Sequence, residues 1–335
     1  MGATGAKGTR IYATCPQSKD LRQEDYLAAV GDVARWSEDA GCAGILVYTD
    51  NGLVDPWLVS DQILRSTESL RPLVAVQPVY MHPYAAAKMV ASLAFLHGRP
   101  VDLNMLAGGF KNDLIALGDR TPHDDRYART TEYAQIMLGL LRGEAVTLAG
   151  TYYGVERLSL TPRLAADLAP RVLVSGSSPA GLEAARALDA TPVKYPHPPG
   201  EEEPPDGIEF GVRVGIVARD DEEEAWRVAL DRFPEDRAGQ ITHRLAMQTS
   251  DSQWHRQLSE RPAESPDGAR RPTYWLGPFH NYQTFCPYLV GDHATVAAEI
   301  ARYRGLGATT FILDIPPSRA ELEQIERVFA LAEGQ

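Results

Sequence analysis

The feature that most restricts the fold is an alternation of eight short apolar, β-branched runs, nearly all of them followed by a stretch with helical periodicity. The runs are RIYAT (10–14), GILVY (44–48), LVAVQP (73–78), VDLNML (101–106), RVLVSG (171–176), TPVKYP (191–196), EFGVRVGIVA (209–218) and TTFILD (309–314). Runs of this kind suit strands covered on both faces, and intervening helices make parallel strand–helix–strand units. Eight units predict an α/β fold, a closed (β/α)8 TIM barrel, with an open doubly wound sheet as the alternative. A barrel accommodates the whole length, so residues 1–335 are read as a single domain.

Helix ends support the division. QEDYLAAVGDVARWSEDAG closes on Gly41, a residue suited to a left-handed terminus, and DPWLVSDQILRSTESL opens on the cap-and-proline pair Asp55-Pro56. Other helices are expected near 84–97, 124–141, 179–188, 222–233, 293–306 and 318–332. Two insertions interrupt the pattern. AVTLAGTYYGV reads as a hairpin about Ala149-Gly150. The longer insertion, 242–288, precedes the eighth strand, shows little periodicity and ends in YWLGPFHNYQTF, whose aromatic rings are costly to leave in water. It is predicted to be a lid over the barrel mouth.

Composition bounds the function. A net charge of -12 argues against nucleic acid or an anionic membrane as partner. Cys15, Cys42 and Cys286 are odd in number and lack CxxC spacing, which fits a reduced, cytoplasmic setting. No apolar run reaches the roughly 20 residues of a membrane span. The opening MGATGAKGTR has no apolar signal core, and its Lys7-Gly8-Thr9 order is wrong for a phosphate loop, so a mobile tail is expected.

In a TIM barrel the reactive groups sit where strands end. The fifth run ends in Ser175-Gly176-Ser177-Ser178 and feeds a helix, so hydroxyls and unpaired helix N–H groups would converge on an anion. The alternative is that Ser177 or Ser178 only caps the helix. Asn104, in DLNMLAGGF, is an amide inside a strand; it faces either a heterocycle edge or a neighbouring loop, and Ala107, Gly108 and Gly109 permit close backbone approach. In GVRVG, Gly211, Arg213 and Gly215 share a face, which reads as cleared space beside a fixed cation or as an arginine paired to an internal carboxylate such as Asp102. Arg126 and Tyr127 begin the helix after the fourth strand, placed for a phosphate or ribityl chain or for packing. His82, His123, His197 and His280 are isolated, so no metal site is expected, and neither GxSxG nor GxGxxG occurs.

Taken together, GILVYTDNGLVDPWLVS, LVAVQPVYMHPYAAAKMVASL, DLNMLAGGF, DRYARTTEYAQIMLGLLRGE, VSGSSPAGLEAA, EFGVRVGIVARDDEEEAW and LVGDHATVAAEIARYRGLGATTFILD resemble the bacterial-luciferase-like flavin monooxygenases, most of all the alkanesulfonate branch. The resemblance implies a TIM barrel that takes reduced FMN from a separate flavin reductase and uses O2 to oxidise an organic substrate. It implies that Ser177 and Ser178 hold the FMN phosphate with Ser175 and Gly176, that Arg126 and Tyr127 hold the FMN tail, that Asn104 and Ala107 lie near the flavin, and that Arg213 is catalytic. Tyr80, His82 or His280 would relay protons.

Departures from that branch fall at Leu53, Gly215, Tyr282 and Pro316, where the alkanesulfonate enzymes carry cysteine, histidine, arginine and tyrosine. They imply a substrate bulkier or less polar than a small alkanesulfonate, conceivably tethered to a carrier protein and belonging to secondary metabolism. A homo-oligomer is expected. The competing functions are a deazaflavin-dependent hydride-transfer enzyme, a non-catalytic flavin-binding protein, and an aldolase-like barrel with Lys194 as Schiff base.

Overall fold

The computed structural model describes residues 8–205, 207–249, 258–259, 261 and 271–334; the expected N-terminal tail and the lid stretches 250–257, 260 and 262–270 lie outside the described residues. All eight predicted runs are strands: β1 (Arg10–Thr14), β2 (Gly44–Val47), β3 (Arg71–Val76), β4 (Asp102–Leu106), β7 (Val172–Ser175), β8 (Thr191–Lys194), β9 (Phe210–Arg219) and β12 (Ala308–Leu313). They are the parallel staves of a (β/α)8 barrel. The predicted hairpin is β5 (Val146–Ala149) with β6 (Gly154–Leu158), turned by a Gly150 N–H bond to the Tyr153 carbonyl.

Contacts gather the described residues into two compact units. A first-half unit holds 15–38 and 43–192, and a second-half unit holds the described residues of 1–14, 39–42 and 193–335. The first-half unit carries α1 (Gln23–Asp39) apart from its last residue, α2 (Pro56–Ser66), α3 (Pro83–His97), α4 (Lys111–Ala116), α5 (His123–Leu141) and α6 (Pro179–Ala187). Its sheet runs β2–β3–β4–β7, with Val74 beside Leu103 and Asn104 beside Leu173. Leu103, Met105, Val174, Tyr133 and Met137 fill the core under the helices. Asp55 caps α2 as its sequence suggests, accepting from the Trp57 and Leu58 N–H groups at 2.9 and 3.4 Å.

The second-half unit contains β1, β9 and β12, with β1 beside β12 and β12 beside β9, and the end of β8 pairs with β9 at Val193–Gly211. Its helices are α7 (Glu222–Arg232), α8 (Arg237–Thr249), α9 (Gly277–His280), α10 (His293–Gly305) and α11 (Arg319–Glu333). Here the sequence misled. The insertion opens inside a 13-residue helix, α8, whose residues from 242 on fall where no period was expected. It also ends in two strands, β10 (Tyr274–Trp275) antiparallel to β11 (Tyr288–Asp292), and β11 runs parallel to the outer half of β9. The aromatics judged costly to leave in water are indeed buried: Trp275 and Phe279 are 4% and 1% exposed and pack with Trp226 and Tyr288. Among the described residues no helix is long and apolar enough to cross a membrane.

Candidate active site

The end of β7 in the first-half unit builds the predicted cradle. Ser175 is the last strand residue, Gly176 turns with φ of 143°, and Ser178 caps α6, its Oγ accepting the Gly181 N–H at 3.1 Å. The capping reading is therefore seen for Ser178, and a hydroxyl that accepts a cap bond retains its own proton to donate. Ser177 is half-buried, and among the described residues its hydroxyl makes no hydrogen bond. That free hydroxyl, the Ser178 proton and the positive start of α6 fit an anion such as a phosphate.

Tyr127 forms the floor of the cradle. Its phenol donates to the Ser175 carbonyl at 3.1 Å, and a Cβ on Gly176 would stand 2.0 Å from the Tyr127 oxygen. Gly176 is thus required by a protein side chain as well as by its positive φ. Gly181 packs on the same ring, with room for a Cβ only at 3.2 Å. Asn104 joins this group: its Oδ1 accepts from Ser175 Oγ at 2.9 Å, bridging β4 and β7. Arg126, 2% exposed, donates to the carbonyls of Thr121 at 3.0 Å and Gly108 at 3.3 Å, which pins the loop carrying buried Ala107 to the start of α5.

In the same unit, the ends of β2 and β3 open into a cavity of about 460 Å3, lined in part by Asp50, Leu53, Gln77 and Tyr80. Leu53 is there, in a mixed wall where Trp57, Val76 and Met81 supply apolar surface and Asp50, Gln77 and Tyr80 supply polar groups. Burial, with Asp113 and Asp50 adding to it, pushes the Tyr80 phenol up to about 12. A phenol so held is a hydrogen-bond donor, not a base; it donates to Asn51 Oδ1 at 2.8 Å. Sequence reasoning passed over Asp50 and Gln77, although each stands just beyond a strand end, where reactive groups of a barrel belong.

The second-half unit holds Arg213 in a cluster of its own. Arg213 is 8% exposed, donates to the Tyr195 hydroxyl at 3.2 Å and lies 3.8 Å from Asp314. Asp314 also accepts from Thr284 Oγ1 at 2.6 Å and Tyr288 Oη at 2.8 Å. Asp102, the carboxylate offered as an example of an internal partner, begins β4 and accepts from Arg71 at 3.2 Å. The space expected around Arg213 is also filled. A Cβ on Gly215 would lie 2.3 Å from the Tyr288 ring, and one on Gly211 would lie 3.1 Å from Val193. These glycines admit protein side chains rather than a ligand.

The two histidines expected to relay protons hold other posts. His82 is exposed and caps α3, with Nδ1 accepting the Tyr84 N–H at 3.2 Å. His280 ends α9 with its Nε2 buried and unpartnered, 5.7 Å ring to ring from His243. Burial lowers the His280 pKa, and burial with His280 as neighbour brings His243 to about 4, so both rings are neutral at pH 7. Burial raises the thiols of Cys15 and Cys42 to about 12 and that of Cys286 higher still, which removes them as nucleophiles. Lys194 is paired with buried Glu202, and an ion-paired ammonium is a poor Schiff-base former. Among the described residues no group of three or more potential ligands is placed to hold a metal ion.

Comparison with known proteins accords with this geometry. The model of the luciferase-like monooxygenases matches residues 10–195 and 200–310. The 4-(gamma-L-glutamylamino)butanoyl-[BtrI acyl-carrier protein] monooxygenase BtrO of Niallia circulans is 33% identical over 316 residues, covering 91% of this chain and 92% of that protein. Among solved structures, the oxygenating constituent of 3,6-diketocamphane monooxygenase from the CAM plasmid of Pseudomonas putida, in complex with FMN, superposes with a TM-score of 0.69 at 15% identity, over 98% of this chain and 99% of that one. An F420-dependent secondary alcohol dehydrogenase with an F420–acetone adduct gives 0.66 at 16%, over 97% and 99%. The structural likenesses establish the fold, and the match along the sequence establishes the lineage: the chain belongs to the luciferase-like monooxygenase family.

Proposed function

We propose that the protein is the oxygenating component of a two-component, FMN-dependent monooxygenase: a flavin reductase supplies reduced FMN, and O2 oxidises an organic substrate bulkier or less polar than a small alkanesulfonate. The observation that carries this is the turn past β7, where Ser177 keeps an unbonded hydroxyl next to Ser178, the cap of α6. Ser177 and Ser178 would hold the FMN phosphate, with Ser175 and Gly176 shaping the turn, Asn104 and Ala107 near the flavin, and Arg126 and Tyr127 fixing the cradle. When bound, reduced FMN supplies the electrons that activate O2. Chain 1–335 would act as one domain, in the cytoplasm and as a homo-oligomer, with 242–288 contributing cover to the site. Residues of the chain must keep that site dry, since water diverts activated oxygen from the substrate.

The similarity to BtrO, an acyl-carrier-protein monooxygenase by name, supports a carrier-bound acyl substrate and a role in secondary metabolism. Arg213 is proposed to orient substrate or steady developing negative charge. The test is substrate-dependent O2 consumption with FMN, NADH and an added flavin reductase. A free acid and its carrier-protein thioester would be compared, and the thioester is expected to give product. A second function, deazaflavin-dependent hydride transfer, is favoured by the likeness to the F420 enzyme. Turnover with F420 under strict anaerobiosis, and none with FMN and O2, would replace the first proposal with this one.

A further inference from the structure

We infer that the cavity at the ends of β2 and β3 seats a positively charged end of the substrate, an alkylammonium group flanked by an amide or similar hydrogen-bonding carbonyl. This assignment deepens the proposed monooxygenase function and rests on it only in calling the occupant a substrate. The first observation is Gln77. It lines the cavity, is 8% exposed, and among the described residues its side-chain amide makes no hydrogen bond. The side chain is held by its burial while its amide stays accessible from the cavity, so two donors and an acceptor are offered to whatever fills that space, and an amide or carbonyl complements them.

The second observation is uncompensated negative charge. Asp50 lines the same cavity; one of its oxygens accepts the Gly52 N–H at 2.7 Å, and no lysine, arginine or histidine among the described residues pairs with it. Asp113 stands close by, since Asn51 lines the cavity and donates from Nδ2 to the Asp113 carbonyl at 3.0 Å. It too lacks a cation among the described residues. Its carboxyl is held above the usual range by burial and then by the charge of Asp50. Asp55, by contrast, is used in capping α2. A bound cation relieves the repulsion between Asp50 and Asp113, whereas a sulfonate or carboxylate at the same place adds to it. Trp57 and Met81 supply apolar wall for the methylenes that lead to the charged end.

The experiment titrates the full-length protein calorimetrically with three compounds of one length: 5-aminopentanamide, 5-hydroxypentanamide and glutaramate, the carboxylate of the set. The ammonium compound is expected to bind at least about tenfold tighter than the alcohol, with the carboxylate weakest, because only a charged pair gains from Asp50. Asp50→Asn, which keeps an oxygen for the Gly52 N–H, is expected to bring ammonium and alcohol within about twofold. Asp113→Asn narrows the gap by about threefold, and Gln77→Ala weakens ammonium and alcohol alike without changing their ratio. Equal binding of the three compounds, or a preference that survives both aspartate variants, overturns the assignment. None of these titrations needs flavin, oxygen or turnover. A clear ammonium preference without oxygenase activity therefore defeats the proposed function alone, and oxygenase activity without the preference defeats this inference alone.

Discussion

The cradle of the first-half unit and the Arg213 cluster of the second-half unit both gather polar side chains on or just beyond strands, yet they are built in opposite ways. The cradle is joined by neutral groups: Ser175 binds Asn104 through its hydroxyl and Tyr127 through its carbonyl, Ser178 accepts the Gly181 N–H, and Ser177 is left over. Arg213 is instead a charge surrounded by its answer, with Asp314 at 3.8 Å and Tyr195 within hydrogen-bond reach. A site that uses hydroxyls for its own fold and leaves one unspent has spare capacity for a ligand. A buried cation with a carboxylate beside it is first of all part of the structure, and whatever it does in catalysis is added to that duty.

The largest effect expected from this contrast is on stability. Arg213→Met strands Asp314 in the core and should cost about 2–4 kcal/mol in urea unfolding, while the FMN dissociation constant moves less than about twofold. A stable variant would show that the pair is not structural. Next, Gly176→Ala drives a methyl into the Tyr127 phenol and should cost about 2–3 kcal/mol and more than tenfold in FMN affinity. Wild-type FMN binding by this variant would mean that the cradle is not where the cofactor tail goes.

A third effect comes with pH. Burial depresses the pKa of both His243 and His280, so the unfolded chain takes up their protons first as acid is added. The stability contributed by the neutral rings is whole above pH 6.5, the ordinary histidine value, and is lost as pH falls from there toward about 4. Amide exchange in α8 should accelerate over that window, and His243→Gln should flatten the response. Exchange that is pH-corrected and constant across the window would contradict the buried, neutral pair.

Two smaller tests separate binding from capping. Ser177→Ala should weaken FMN binding by about 1–2 kcal/mol without lowering the melting temperature, and Ser178→Ala should lower both, the stability loss being about 1 kcal/mol. Identical behaviour of the two variants would erase the distinction drawn from their hydrogen bonds. Smallest of all, His82→Ala should cost about 0.5–1 kcal/mol of stability as a lost cap, with kcat unchanged. A tenfold fall in kcat would return His82 to the role of proton relay.

Much of this was legible from residue order. The eight runs became strands because apolar, β-branched stretches bounded by helix formers have little else to do. Asp55-Pro56 and Gly41 marked helix ends because those positions depend on a residue's own geometry and its nearest neighbours. The serine pair after β7 was visible for the same reason. Arg213 was visible as a residue, but its partner was not: Asp102 and Asp314 are equally plausible in a list, and only strand direction decides which carboxylate lies at which end. The glycines beside it showed that space was needed without showing that Tyr288 takes it. The insertion failed more widely, because β11 owes its existence to the outer half of β9, far away along the chain.

The amino-acid order alone determined the number of strand–helix units, where most helices start and stop, the turn that places Ser177 and Ser178, and the family. All of these rest on periodicity, local backbone preference and contacts within a few residues. Tertiary structure alone decided that Tyr127 floors the cradle, that Asp314 answers Arg213, that the aromatics before β11 are core, and that Asp50, without a cation, and Gln77, without a side-chain hydrogen bond, line one cavity. The physical reason is that charge, hydrogen-bond capacity and volume are properties of a residue, whereas their satisfaction is a property of neighbours that only the folded chain brings together.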